Sequence, residues 1–206
     1  MKPIRLMVLT ALLASVPASW AQTKPSTAAK PAAAAPAPAA APQLQAAGSE
    51  LLFVSRQMGV PVEGRFKKFD AQLSFDPKKP EAGRVAFTID LGSASLGAPE
   101  FDAELGKAAW FDSKRLPQAS FQSSAIKALG GGKFEVSGKL SLKGQTRDLS
   151  VPISLSQAGG ITTANGSFVL KRLEFKIGDG EWADTSMVAN EVQVKFKLLF
   201  SGVAAL

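Results

Sequence analysis

Alternation of apolar and polar residues, sustained through many short segments, restricts this chain more than any other feature. In GRVAFTIDL (83–91), Val85, Phe87, Ile89 and Leu91 fall on one side, with Arg84, Ala86, Thr88 and Asp90 on the other. KFEVSGKLSLKG (133–144) sets Phe134, Val136, Leu140 and Leu142 against Glu135, Ser137, Lys139 and Ser141. RDLSVPISL (147–155) and EVQVKFKL (191–198) repeat the pattern. Successive side chains of an extended strand point to opposite faces, so each segment has one buried and one wetted side. LLFVS (51–55), DAQLSF (70–75), ASFQSSAIKAL (119–129) and GSFVLKRLEF (166–175) bring the set to eight strands. Turn-forming words separate them: Asp76-Pro77, Gly130-Gly131-Gly132, Lys143-Gly144, Gly159-Gly160 and Gly178-Asp179-Gly180.

One stretch departs from this period. Between Pro99 and Trp110, Phe101, Leu105 and Ala109 recur every four residues, and Pro99 suits a first helical position. The spacing predicts one short amphipathic helix over a barrel mouth or a sheet face. Antiparallel strands in this number either stack as a sandwich or close as a barrel, and a barrel of about eight strands can enclose one small ligand. Alternation admits both architectures, and it admits a filled interior as well as a hollow one.

The N-terminal quarter has another texture. Lys2 and Arg5 precede an apolar run from Leu6 to Val16, Pro17 breaks it, and Ser19 and Ala21 supply small residues before Gln22. These features predict a cleaved secretory signal over residues 1–21, too short for a comfortable membrane span. Residues 22–48, with KPAAAAPAPAAAP at their centre, read as a disordered Ala/Pro-rich linker, leaving 49–206 as the folded domain. Export through the signal makes the expected location periplasmic.

Composition removes several functions. The 206 residues include no His, no Cys and no Tyr, which excludes a Ser-His-Asp triad, a thiol nucleophile and a Cys/His zinc site. The net charge of +7 would suggest nucleic acid until it is located. Lys2, Arg5, Lys24 and Lys30 precede the first acid, Glu50; without those four, 20 of the 24 basic residues face 17 acidic ones. So small an excess, scattered through the domain, describes a solvated surface, and no nucleic-acid partner is expected. Glu100, Asp102 and Glu104 are spaced by two, which turns neighbours to different sides of a helix. Asp179, Glu181 and Asp184 lack the ligand series of a calcium loop. No catalytic residue and no metal ligand is predicted.

What the chain does offer is apolar bulk: 13 Phe and 3 Trp. Phe53, Phe66, Phe69, Phe75, Phe87, Phe168, Phe175 and Ile177 are candidate interior residues, together with Leu105 from the helix. Trp110, Phe111 and Phe121 make an aromatic group around Pro117, either packed core or the wall of a tunnel. Trp182, beside the acidic loop, would gate or plug a mouth. By alternation either Lys171 or Arg172 takes the outer face. An inward Arg172 would cost several kcal/mol unless paired and would meet a ligand head group; an outward one is surface.

Four words of the domain, taken in order, resemble the YceI-like family of periplasmic lipid-binding proteins. They are GRFKKFDAQLSFDPKKP (64–80), WFDSKRLPQASFQSS (110–124), GKLSLKGQTRDLSVPISL (138–155) and the closing strand from Val188 to Phe200. The resemblance implies an all-β, antiparallel, eight-stranded lipocalin-like barrel with a helix near its mouth. It implies an apolar tunnel for a polyisoprenoid, an isoprenoid quinone or a fatty-acid derivative, held as cargo or as cofactor and without enzymatic chemistry. No cofactor beyond such a polyisoprenoid or quinone-like lipid is expected. The segment GDGEWADTSMVANEV (178–192) resembles a subgroup whose partners would be a membrane cytochrome or a quinone-pathway protein, and a homodimer is compatible with it. Gln57 stands where many relatives have a histidine, and Phe101-Asp102 where many have Arg-Asp, so head-group recognition is expected to differ here.

Overall fold

The structure, a computed structural model, describes residues 41–206; the signal at 1–21 and the linker up to residue 40 lie outside the described residues. Ten strands are present among those residues: β1 Gln43–Gln57, β2 Val60–Phe66, β3 Phe69–Ser74, β4 Arg84–Asp90, β5 Ala94–Ser95, β6 Gln118–Gly130, β7 Lys133–Leu142, β8 Gln145–Ala158, β9 Ile161–Lys171 and β10 Glu191–Ser201. Neighbours pair antiparallel in the order β10-β9-β8-β7-β6-β4-β3-β1, and β1 pairs again with β10, so the sheet closes on itself. The alternative of a stacked sandwich is thereby removed.

β2 and β3 are parted only by Lys67-Lys68 and act as one bent stave. β2 lies along Leu52 to Gln57 of β1, while β3 meets β1 at Gln43–Gln72 and pairs with β4 along its length. The barrel therefore has eight staves, with the two-residue β5 added beside β2. The sequence reading missed β2, because Pro61 and Gly64 disguise its alternation. It also placed the start of the domain too late: β1 begins at Gln43, inside the stretch expected to be linker. An irregularity in the β1–β10 register between Gln45 and Glu50, where Gly48 adopts φ +88°, hides the strand's first half from a period-two pattern.

Tight turns set the register. Met58-Gly59, Lys143-Gly144 and Gly159-Gly160 each carry positive φ at both residues. That mirror-image turn matches the twist of the strands it joins. The helix α1, Pro99–Leu105, is shorter than its sequence pattern suggested. Of the three residues on its expected apolar face, Leu105 is buried, Ala109 lies beyond the helix and Phe101 is 57% exposed. The Gly178-Asp179-Gly180 turn does not join two strands either. β9 ends at Lys171, a tight turn covers Arg172–Phe175, and the chain crosses one end of the barrel before β10 starts at Glu191.

Candidate ligand cavity

The inward side chains do not fill the barrel. Two adjoining cavities of about 120 and about 80 Å³ run along it, each several times the ~10–15 Å³ that one enclosed water needs. The larger, on the side of α1, is walled by residues including Phe87, Ile89, Phe121, Leu140, Leu149, Val151, Phe168 and Val194. The smaller, towards the far end, is walled by Leu73, Phe75, Ile126, Phe134, Leu155, Ala164, Phe200 and Val203 among others. Val85, Val136, Ile153, Phe196 and Leu198 border both, so the two lobes adjoin at one level of the barrel, its waist.

The chemistry of the walls is uniform. Thr162 is the one polar side chain on either, and its Oγ1 already accepts from Gln157 Nε2 at 3.1 Å. No titratable group lines either lobe. Water in such a space would lack the two to four polar partners it needs, so the bore is dry when empty. Phe87, Phe121, Phe168 and Phe196 lie on inner faces of their strands and are still only half-buried.

The α1 end is closed by a packed and polar-stapled cap. Leu91, Ala94, Leu105, Phe111, Phe175 and Ile177 are buried there with Phe53. Phe53, Phe66 and Phe111 meet in a triangle, with ring centroids 5.3, 5.6 and 6.5 Å apart. Arg172, 1% exposed, fastens the crossing segment. Its Nε donates to the Ala189 carbonyl at 3.0 Å, one Nη to Ile177 and Gly178, and the other to Trp182 and Val188 at 2.7 and 2.6 Å. Burial pulls the guanidinium below its ordinary pKa, and five backbone carbonyls replace the water it loses. Lys143 makes a second staple: its ammonium donates to the carbonyls of Lys176 and Ala109, at 2.5 and 3.2 Å, with Asp179 at 3.9 Å. Desolvation lowers its pKa, against the opposing pull of Asp179 and Asp112. Trp110 stacks at 5.5 Å on Trp182, and its indole Nε1 is buried without a partner.

This geometry divides the thirteen candidate residues. Phe75 is on the far lobe, and Phe87, Phe121 and Phe168 are on the larger one. Phe53, Phe66, Leu105, Trp110, Phe111, Arg172, Phe175, Ile177 and Trp182 belong instead to the cap and line neither lobe. Arg172 is neither of the things alternation offered: the strand ends before it, and the side chain turns into the cap's own backbone. The walls that the candidate set lacked are mostly aliphatic, such as Val136, Val151, Ile153, Val194 and Leu198, together with Phe196. The alternating faces already carried them; the preference for aromatic residues passed them over. Among the described residues, no three of His, Cys, Asp and Glu gather as a metal-binding group.

A closed antiparallel barrel around an apolar bore, capped by one short helix, defines a lipocalin-like architecture. The chain belongs to the YceI-like domain family, whose model matches residues 43–200, from the first residue of β1 to the penultimate residue of β10. It is 46% identical to BcnA of Burkholderia cenocepacia, with a TM-score of 0.74 over 76% of this chain and 98% of that one. A polyisoprenoid binding domain from Saccharophagus degradans shares the fold at 19% identity, with a TM-score of 0.64 over 79% of this chain and 98% of that domain. A UPF0312 protein of Vibrio cholerae is 33% identical over 98 residues, 48% of this chain and 52% of that protein. The chain thus spans about half the length of the curated relatives it matches.

Proposed function

We propose that this protein binds one long apolar lipid, a polyisoprenoid, isoprenoid quinone or fatty-acid derivative, and sequesters or carries it in the periplasm. The observation that carries this reading is the bore itself: two adjoining lobes walled almost wholly by hydrocarbon, with no titratable group on them among the described residues. Burying a methylene is worth about 0.8 kcal/mol, so a flexible chain many methylenes long gains affinity there without polar recognition. The only hydroxyl on these walls among the described residues, that of Thr162, is already hydrogen-bonded by Gln157, with no base beside it on the lining. That the Saccharophagus domain of the same fold is a polyisoprenoid binding domain supports the ligand class. The charged start, apolar run and small residues of 1–21 support export.

Displacement of the fluorescent fatty acid cis-parinaric acid by ubiquinone tests the reading. Wild-type protein should take up the probe and release it to the quinone. Phe121→Asp, which places a carboxylate on the wall of the larger lobe, should reduce uptake at least tenfold, because burying that charge costs several kcal/mol. Equal uptake by both proteins would place the probe outside the bore and count against the proposal.

A further inference from the structure

The waist between the two lobes has a built-in width control. Of the five residues bordering both cavities, Val85, Val136, Ile153 and Leu198 are aliphatic and Phe196 alone is aromatic. Phe196 pairs across the β9–β10 ladder with Gly166. A Cβ on Gly166 would lie 2.3 Å from Cζ and 2.9 Å from Cε1 of the Phe196 ring. The ring therefore occupies the place of the missing side chain, laid along the barrel wall and not across the bore. An aromatic folded over a cross-strand glycine is a recognised way to pin a ring on a sheet.

We infer that Phe196, parked on Gly166, is the determinant of ligand chain length: it lets a long hydrocarbon thread from the larger lobe into the smaller. The inference rests on the bore being the lipid site. A short chain is accommodated by one lobe and does not pass Phe196; a long one must. Any side chain at position 166 pushes the ring off the wall and into the waist, so the two classes of ligand separate.

The test compares farnesol, a short prenyl alcohol, with solanesol, a long one, by displacement of cis-parinaric acid and by native mass spectrometry. Gly166→Ala should weaken solanesol about tenfold or more, a difference of about 1.4 kcal/mol, while farnesol stays within about twofold. The same Cβ would also stand 2.9 Å from the Pro152 carbonyl, so backbone strain must be separated from ring displacement. The double variant Gly166→Ala with Phe196→Leu keeps that backbone contact, removes the ring and should recover solanesol binding. If the alanine variant does not fold, Phe196→Trp narrows the waist with Gly166 intact and should show the same selective loss. Parallel loss of both alcohols, or a double variant that recovers nothing, would overturn the inference while leaving lipid binding in place. Wild-type protein that takes up neither alcohol would overturn the binding proposal and the width control with it.

Discussion

The cap and the mid-barrel bore are built from similar apolar residues and differ in what those residues face. In the cap, Phe53, Phe66 and Phe111 face one another; buried Arg172 ties the crossing chain to itself, and buried Lys143 ties it to the β7–β8 turn and to Ala109. Along the barrel from it, Phe87, Phe121 and Phe168 occupy the same inner surface and border the larger lobe. Closure by polar staples at one end leaves the middle free of any need for polar groups. The contrast teaches that burial alone does not mark a binding residue in such a barrel. Position along the barrel axis does: fully buried Val136, Leu140 and Val151 line the larger lobe, whereas half-buried Phe66 packs in the cap.

Arg172 should give the largest effect. Arg172→Met keeps much of the side-chain length and leaves five carbonyls of the cap unpaired. Each buried orphan costs about 1–3 kcal/mol before water relieves it, so a loss of about 4 kcal/mol in urea unfolding is expected. Lysine at this position, with three donors, should recover part of that loss. A loss below about 1 kcal/mol would mean that the staple is ornamental, since surface substitutions fall in that range.

A matched pair of ring deletions sharpens the comparison next. Phe111→Ala removes a ring packed on all sides and should cost about 3 kcal/mol, the low end for such deletions. Phe168→Ala removes one that already faces a void, forfeits fewer contacts, and should cost about half as much. Equal costs in urea unfolding would show that the bore walls are packed as tightly as the cap. The smallest effect belongs to Lys143, whose pKa is lowered chiefly by desolvation. Between that lowered value and the ordinary 10.5, the unfolded chain binds more protons than the folded one, so stability from this group rises with pH there. Wild-type stability relative to Lys143→Met should therefore climb as pH approaches 10.5 from below, and a flat difference would deny that burial governs this lysine.

Much of the barrel was legible because its staves obey a period of two, which any half-buried strand must. The starts of β7 and β10 coincide with the alternating segments, and their ends differ by two and three residues. β2 was not, because Pro61 and Gly64 remove the side chains that would have shown its alternation. The first half of β1 was concealed by its irregular register against β10. The site was less legible than the fold. Alternation shows which way a residue points but not how far along the barrel axis it sits, so Phe111 and Phe121 look equivalent in sequence and lie on opposite sides of the cap boundary. Arg172 escaped for a different reason: its partners are carbonyls up to seventeen residues away, and carbonyls have no sequence signature.

Native mass spectrometry of the protein purified from its native host examines the dry bore most directly. The account predicts a mass increment from a single apolar molecule, retained through gentle desolvation and exchanged on incubation with a prenyl quinone. Protein that arrives empty and stays empty after such incubation would contradict it.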